Sequence, residues 1–360
     1  MNTTVLVTGS GGIVGEGIIK SLRFNNYFDR ESRQNQRYKK IIYKIISTDI
    51  TPLSAGLWRS DNGYLVPHAN TIDYVEKIIK IIKKNDISAV YVGSDVELIP
   101  LSEAKARIEK ETNAKVFVDD IKTILICRDK WKTFKFLRDH GLQYTSSSLP
   151  EDKDEFIRKF GFPLVVKPRE GYGSQHFYLV NNEFEMKSAI SHIKNRGWNP
   201  IIQEYLAGED EFTSGITTDI KGNSILSSIS IKKFIKNGQT YKAIVDKFEI
   251  VTDISRQTSL ELGVIGPLNI QSKLINNEIK IFEINPRFSA TCPIRSVAGI
   301  NEPDIIFRSH VLEETIKVQK IKNLVCMRYW NEVYTTLESI NYLNKHKEIR
   351  NNDSFIVDYL

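Results

Sequence analysis

The chain has 360 residues, of which 41% are apolar and 26% are charged, and its formal net charge is +6. These values are ordinary for a globular protein of roughly two or three packed lobes. The basic residues form no block of like charge, and no apolar run approaches the ~20 residues that span a bilayer, so we predict neither a nucleic-acid nor a membrane partner.

The first 118 residues alternate short apolar runs with amphipathic stretches. Helical spacing predicts a helix that ends near residue 23 and two more at residues 73–84 and 96–112. Apolar runs predict strands at residues 4–8, 41–48, 63–66, 88–92 and 115–118. Strands that alternate with helices in this way predict a doubly wound parallel sheet.

A different pattern begins near Asp119. The next elements are predicted to be helices at residues 129–140, 151–160 and 183–196 and strands at residues 143–147, 162–168, 176–180 and 200–205. Long strands follow at residues 211–220, 224–235, 264–275 and 278–285, some of them separated by the turn signals KGN, KNG and NN. A helix at residues 302–313 and one strand-like run, LVCMRYW, come last.

The cysteines and the N-terminus bear on the cellular compartment. Cys127, Cys292 and Cys326 are far apart and have no metal-binding spacing. The first residues, MNTTVLVTGSGG, lack the basic and apolar segments of a signal peptide. We therefore expect reduced thiols and a cytoplasmic location.

A glycine cluster at residues 8–15, TGSGGIVG, lies between the first strand and the first helix. Its TGxxGxxG spacing is typical of short-chain dehydrogenases, so an NAD(P)-dependent oxidoreductase is one alternative. None of the fifteen tyrosines is followed by a lysine four residues later, and Asp49 lies beyond the ~20 residues at which an acidic ribose ligand follows such glycines. A turn that only packs the strand tightly against the helix is the other interpretation.

Four further segments carry groups that suit a nucleoside triphosphate and a metal ion. Taken alone, each has an ordinary interpretation as a solvated charge, a turn or a strand end, but their order and spacing favour a shared site. The segments are Arg128-Asp129-Lys130; Val165-Val166-Lys167-Pro168 with Gly171, Gly173 and Ser174; residues 203–211; and Gln271 with Glu283-Ile284-Asn285-Pro286-Arg287.

The first three segments are suited to ATP. Lys130 and Lys167 offer positive charge to the phosphates. The glycines of the loop at residues 170–175 allow its backbone to approach those phosphates closely. The strand at residues 201–206 offers an apolar slot for adenine, and Glu211 can accept hydrogen bonds from the ribose hydroxyls.

The fourth segment is suited to magnesium, which keeps several waters and needs only one or two protein carboxylates. Glu283 and Asn285 are two residues apart on a predicted strand, so they face the same side. Gln271, on the neighbouring predicted strand, can add a third oxygen. Arg287 lies where a transferring phosphoryl group or an acyl phosphate would collect negative charge, which a cation stabilises.

This ordered set resembles the ATP-grasp superfamily, and within it a single synthetase half of the carbamoyl-phosphate synthase large chain and its stand-alone relatives, from about residue 3 to residue 312. The strongest elements are the Glu283-x-Asn285-x-Arg287 run with Gln271 upstream and the Glu204/Glu211 pair. The resemblance implies a pre-ATP-grasp Rossmann-like domain followed by a two-lobed α+β ATP-grasp fold. The implied divisions are residues 1–118, a small lobe with the phosphate loop at 119–206, a large lobe with the metal site at 207–312 and a C-terminal extension at 313–360.

The resemblance also implies an activity and a role for each site residue. The activity is ATP-dependent ligation of a carboxylate to an amine or ammonia through an acyl phosphate, with a homodimer common among such enzymes. Arg287 and Lys167 are the implied catalytic residues, and the metal is Mg²⁺, with Mn²⁺ as an alternative. The implied ATP contacts are Lys130, Lys167, Gly171, Gly173, Ser174, Glu204, Tyr205, Leu206 and Glu211, and the implied metal ligands are Gln271, Glu283 and Asn285.

Two departures from the family limit what is expected. The chain has one synthetase half, so production of carbamoyl phosphate by this chain alone is not expected, and its loop REGYGSQH has fewer glycines than in those synthases. A catalytically silent ATP-binding regulator and a purely structural protein remain alternatives, beside the oxidoreductase.

The acceptor site is left with several candidates. Asp95 or Glu97 could bind a substrate amine, with helix capping as the alternative for Asp95. Lys232, Lys233 and Arg295 could bind a substrate carboxylate.

Overall fold

The computed structural model describes residues 1–27, 40–171, 176–208, 210–317, 320–329, 331–349 and 352–357. Gly173 and Ser174, two residues of the predicted phosphate loop, lie outside these ranges. No helix in the described part of the chain is long and apolar enough to cross a membrane.

The N-terminal sheet has five parallel strands in the order β3-β2-β1-β4-β5, so the predicted doubly wound arrangement is confirmed. The strands are β1 (Asn2–Val7), β2 (Ile42–Asp49), β3 (Asn62–Leu65), β4 (Ala89–Tyr91) and β5 (Lys115–Phe117). The helices are α1 (Ile13–Tyr27), α2 (Ala55–Trp58), α3 (Tyr74–Asn85) and α4 (Leu98–Thr112). Buried apolar side chains cover both faces of the sheet, as a parallel sheet requires.

The glycine cluster is packed against its own domain. A Cβ atom on Gly15 would lie 2.4 Å from the carbonyl oxygen of Gly9, and one on Gly93 would lie 2.1 Å from that of Thr8. The backbone amide of Gly11 donates to Asp49 Oδ2 at 2.7 Å. These contacts favour the packing interpretation of the glycines over a dinucleotide site.

The next sheet has four antiparallel strands in the order β6-β9-β7-β8. Its strands are β6 (Ser147–Ser148), β7 (Leu164–Pro168), β8 (Tyr178–Val180) and β9 (Pro200–Glu204), and the helices of this region are α5 (Ile121–Arg128), α6 (Lys130–Asp139), α7 (Lys153–Phe160) and α8 (Glu183–Asn195). The strand predicted at residues 143–147 is wrong in extent, because only Ser147 and Ser148 pair with β9. Helix α5 was not predicted.

The largest sheet has six antiparallel strands in the order β14-β13-β10-β11-β12-β15. The strands are β10 (Glu211–Thr218), β11 (Ile225–Lys236), β12 (Gln239–Val245), β13 (Pro267–Ile275), β14 (Glu278–Asn285) and β15 (Leu324–Met327). The remaining helices are α9 (Glu249–Glu261), α10 (Cys292–Val297), α11 (Glu302–His310) and α12 (Leu337–His346). Strand β12 and helix α9 occupy a stretch for which the sequence had predicted no element.

Segments on both sides of the large sheet extend across the predicted divisions. Helices α5 and α6 pack on this sheet, where Cys127 and Leu137 join Phe212 and Ile281 in one apolar cluster. The C-terminal segment supplies β15 to the sheet edge, while Leu343 of α12 packs against the N-terminal domain. The chain after residue 312 therefore spans two parts of the fold.

Arg295, a predicted candidate for binding a substrate carboxylate, is instead part of the core. Its side chain is fully buried and donates to both oxygens of Glu302, at 3.2 and 3.0 Å, and to Thr213 and Asn269. A Cβ on Gly215 would lie 2.1 Å from this ion pair, so a glycine makes room for it. The prediction is wrong because a substrate has no access to this guanidinium.

Replacing Glu302 by alanine is expected to destabilise the fold by about 3–5 kcal/mol, because it leaves the Arg295 charge buried without its counter-ion. Urea unfolding measures this loss. The matched control is Glu314→Ala, which removes a more exposed partner of Arg308 and is expected to cost under about 1 kcal/mol. Equal effects of the two substitutions would contradict the prediction.

Candidate functional site

The candidate site lies where the four-stranded and six-stranded sheets meet. Lys167 Nζ, on β7, is 5.8 Å from the centre of the Phe282 ring on β14. Lys233 Nζ, on β11, is 6.0 Å from the same ring. Residues 205–210 connect β9 of one sheet to β10 of the other. The Phe282 ring therefore lies in a cleft that one lysine enters from each sheet.

A β-bulge at Phe282 sets the direction of the neighbouring side chains. Gln271 pairs with Glu283 and Ser272 pairs with Ile281, so Phe282 has no partner in the register. An extra residue of this kind re-aims the side chains that follow it. Glu283 and Asn285 share a face after the bulge, and Asn285 Nδ2 donates to Glu283 Oε1 at 3.1 Å.

The oxygens gathered here fit a hard divalent cation. Glu283 supplies a carboxylate, and Asn285 and Gln271 supply amide oxygens, a set that magnesium accepts when phosphate and water complete its shell. The described residues contain no group of three or more His, Cys, Asp or Glu side chains that could hold a metal ion. Lys233 Nζ donates to Gln271 Oε1 at 2.5 Å, so Gln271 would have to exchange this bond to bind a cation.

Lys130 lies at the start of α6, beside the entry to the predicted phosphate loop. Asp129 caps α6 by accepting from the Trp131 backbone amide at 2.9 Å and also pairs with Arg169 at 2.6 Å. Lys130 Nζ donates to the carbonyl oxygens of Arg169 and Gly171, both at 3.3 Å. Burial lowers the pKa of Lys130, although the Glu283 carboxylate opposes that shift.

Lys167, like Lys130, has a lowered pKa. Burial and then the nearby charge of Lys130 lower its pKa to about 7, against the opposing effect of Glu283 and Glu211. The positive charges of Lys167 and Lys130 repel each other, which favours an anion between them. A phosphate bound there would stabilise the charged forms of both lysines.

The residues predicted to bind adenine and ribose lie along the connection between the sheets. Glu204 Oε1 accepts from the Ser146 backbone amide at 2.7 Å, Tyr205 is 40% exposed and Leu206 is buried. Glu211 forms ion pairs with Lys233 at 2.9 Å and Lys273 at 3.8 Å. Ribose hydroxyls would therefore meet a carboxylate that already has two cationic partners.

Arg287 faces the edge of the N-terminal sheet. Its guanidinium donates from Nε and Nη2 to the two oxygens of Asp95, at 2.7 and 3.0 Å, and from Nη2 to Asn285 Oδ1 at 3.3 Å. Burial is the largest single effect and lowers its pKa, but the charge of Asp95, the hydrogen bond to Asp95 and the charge of Glu283 together raise the pKa above its ordinary value. Asp95 therefore connects the N-terminal domain to the cleft and is occupied by Arg287, not left free for an amine.

The other acceptor candidates already have partners within the chain. Glu97 is buried and accepts from Thr8 Oγ1 at 2.6 Å and Tyr74 OH at 2.7 Å, and burial raises its pKa to about 7. Lys232 pairs with Asp210. Lys233 is held between Gln271 and Glu211 inside the cleft, so a free carboxylate-binding position is not found at these residues.

The sequence did not predict the contacts that three basic residues make in the site. Arg169 forms an ion pair with Asp129, and Lys273 donates to the carbonyl oxygens of Leu206 and Gly208 at 3.1 and 3.2 Å. Lys233 contacts both Gln271 and Glu211. No local pattern marks them, because each acts on a strand or loop that is distant along the chain.

Family models match most of the two regions that form this arrangement. An ATP-grasp domain matches residues 127–291. A PylC-like N-terminal domain matches residues 23–117. The first match covers Lys130, Lys167 and the Glu283–Arg287 segment, and the second covers Asp95.

A known sequence is similar to most of this chain. The carbamoyl phosphate synthase large chain of Helicobacter pylori is 28% identical over 276 residues, which are 70% of this chain and 25% of that protein. The chain thus spans about a quarter of the length of that relative. Residues 127–291 thus match an ATP-grasp domain, and the chain as a whole is similar to the carbamoyl phosphate synthase large chain.

Solved structures share the fold at low identity. N5-carboxyaminoimidazole ribonucleotide synthetase from Thermotoga maritima has a TM-score of 0.62 and 18% identity, over 89% of this chain and 78% of that one. The biotin carboxylase domain dimer of 2-oxoglutarate carboxylase from Hydrogenobacter thermophilus, in complex with MgADP, ADP and bicarbonate, has a TM-score of 0.65 and 16% identity, over 89% and 72%. These likenesses extend over the N-terminal sheet and the ATP-grasp domain together.

Proposed function

We propose that the protein is an ATP-dependent ligase that joins a carboxylate to an amine or ammonia through an acyl phosphate, with release of ADP and phosphate. The observation that carries the proposal is the convergence of Lys130, Lys167, Glu283, Asn285 and Arg287 on one cleft within a region that matches an ATP-grasp domain. Lysines, hard oxygens and an arginine in one place suit phosphoryl transfer, which depends on positioning and electrostatics.

The first step forms the acyl phosphate. A carboxylate oxygen of the substrate attacks the γ-phosphorus of ATP, and the bond from that phosphorus to the β-γ bridging oxygen breaks to leave ADP. Lys130 and Lys167 would hold phosphate oxygens in line for this attack. Glu283 and Asn285, with Gln271, would hold magnesium (or manganese), which when bound neutralises charge on the phosphates.

The second step transfers the acyl group. The amine attacks the acyl carbon, phosphate leaves, and the amine proton passes to solvent or to a nearby base. Arg287 would stabilise the negative charge on the acyl phosphate and on the departing phosphate. To do so it must shift part of its bonding from Asp95 to the substrate, so Asp95 would act as the resting counter-ion.

The remaining assignments belong to the same proposal. Gly171, Gly173 and Ser174 would cover the phosphates, Glu204, Tyr205 and Leu206 would border adenine, and Glu211 would bind ribose. The divisions at residues 118, 206 and 312 are retained as domain boundaries, with α5 and α6 packed on the larger sheet. We also propose small-molecule substrates, a homodimer and a cytoplasmic location; the similar biotin carboxylase domain of Hydrogenobacter thermophilus is a dimer in its crystal structure.

The test is ADP release from MgATP across a matrix of carboxylates and amines, with amino acids, uronic acids and small diacids as acids, and ammonia, glutamine and amino acids as amines. Release that requires one acid, and that is lost in Glu283→Ala, is the expected result. Binding of MgATP without ADP release for any pair would support the silent regulator instead. Failure to bind MgATP would overturn the proposal.

A further inference from the structure

A second cleft lies beside the candidate site, at the carboxyl edge of the N-terminal sheet, where ligands of doubly wound folds gather. Its volume is about 990 Å³. One wall is the loop that follows β3 together with the start of α3, and the other wall is α4. Its apolar surface comes from Ala69, Ile72, Val75, Val96, Ile99, Pro100 and Ala104.

The two arginines that line this cleft differ in whether they are paired. Arg107 forms ion pairs with Glu76 and Glu111, so its charge is neutralised within the chain. Arg128 is exposed and forms no hydrogen bond or ion pair through its side chain with any residue in the described ranges. An unpaired guanidinium above an apolar surface matches a ligand with an anionic end and an apolar body.

Arg128 also lines the smaller cavity that contains Lys130, Glu283 and Asn285. It is the last residue of α5, and the next residue, Asp129, is fixed by the α6 cap and by Arg169. The backbone at Arg128 is therefore held in place while its guanidinium is free to bind. An anion at this guanidinium would lie between the large cleft and the groups proposed to activate a carboxylate.

We propose that this cleft binds the carboxylate substrate, with the carboxylate at Arg128 and an extended apolar body along α4. The inference rests on the proposed function and specifies its substrate class. The volume is at the upper end of the roughly 300–1,000 Å³ of sites for organic ligands, far more than an acid as small as bicarbonate or acetate fills. The substrate is therefore a larger acid with an apolar portion.

The test uses octanoate as the probe and measures its binding by calorimetry to the full chain saturated with MgADP. Acetate, octylamine and octanol are the comparison ligands. Octanoate is expected to bind one to one and more tightly than the other three. Arg128→Met is expected to weaken octanoate binding about tenfold or more, through the loss of a charge-assisted hydrogen bond.

Two further variants make the outcome decisive. Arg107→Met removes a guanidinium from the same cleft, but one already paired with Glu76 and Glu111, and is expected to change octanoate binding less than about threefold. Ala104→Trp fills the cleft and is expected to abolish octanoate binding. The inference is overturned if octanoate does not bind, if acetate binds equally well, or if Arg128→Met has no larger effect than Arg107→Met.

A separate titration with MgADP distinguishes this inference from the proposed function. All variants are expected to bind MgADP as the unaltered protein does, which also shows that they fold. Loss of octanoate binding with MgADP binding intact bears only on the cleft. A failure of the unaltered protein to bind MgADP would count against the proposed function itself.

Discussion

Replacing Glu283 by alanine is expected to lower the rate of ADP release by about a hundredfold to a thousandfold, the effect of removing one preorganised electrostatic group. Glu283 is the only carboxylate among the three proposed metal ligands, and the other two offer neutral amide oxygens. Its loss leaves Lys130 and Lys167 without the nearby charge that raises the pKa of each. Steady-state ADP release at saturating MgATP measures the change.

The matched control is Glu278→Ala on the same strand. Glu278 is exposed and pairs with Lys280 at 3.3 Å, away from the cleft, and its loss is expected to change the rate less than about twofold. A second readout is the Mg²⁺ concentration at half-maximal rate, which Glu283→Gln should raise. A Glu283→Ala protein with full activity would overturn the assignment of the metal site.

Local patterns predicted the turns and most of the strands, because those depend on neighbouring residues. Asn276 and Asn277, between β13 and β14, both have positive φ, at 48° and 66°. Asn237 and Gly238, between β11 and β12, have φ of 51° and 74°. Two-residue hairpins need this conformation, and asparagine and glycine tolerate it best. The NN and KNG turn signals were therefore reliable.

The geometry of the site depends on contacts that no local pattern contains. The bulge at Phe282 arises from pairing with β13 and cannot be read from β14 alone. The Arg287–Asp95 pair joins residues 192 positions apart. The sequence indicated Arg287 and placed Asp95 at a strand end, but local patterns do not show which distant residues come into contact. For the same reason the sequence could not show that Arg295 is buried against Glu302 and Asn269.

Strand β12 and helix α9 show a third kind of limit. The sequence of α9, EIVTDISRQTSLE, contains five β-branched residues, which have low helix propensity, and no alanine. The helix lies on the large sheet, where Val251 joins Phe212 and Leu268 in the apolar cluster. Tertiary packing therefore stabilises this helix more than its own propensity does.

Binding of MgATP is expected to take up close to one proton between about pH 8 and 9, and Lys167 is the group that accepts this proton. Burial and the charge of Lys130 lower the pKa of Lys167 to about 7, while Glu283 and Glu211 oppose the shift. An unfolded lysine has a pKa of about 10.4. Phosphate oxygens beside Lys167 would favour its charged form, so its pKa rises and a proton binds.

The same shift makes stability depend on pH in the absence of nucleotide. Between about pH 7 and 10.4 the unfolded chain binds this proton and the folded chain does not, so the Lys167 contribution to the free energy of unfolding rises with pH across that window. Below about pH 7 both states are protonated and the contribution no longer changes. Urea unfolding at several pH values, compared with Lys167→Met, isolates this contribution.

Lys167→Met is expected to weaken MgATP binding by about tenfold to a hundredfold, the range for a lost charge-assisted hydrogen bond, and to abolish the proton uptake. Calorimetry in buffers of different ionisation enthalpy measures the affinity and the proton count together. Lys187→Met, at an exposed lysine of α8 paired with Glu183, is the control and should change neither. Uptake that persists in Lys167→Met would assign the proton to another group, and unchanged affinity would remove Lys167 from the phosphate site, because a cation that contacts the phosphates cannot be lost without weakening their binding.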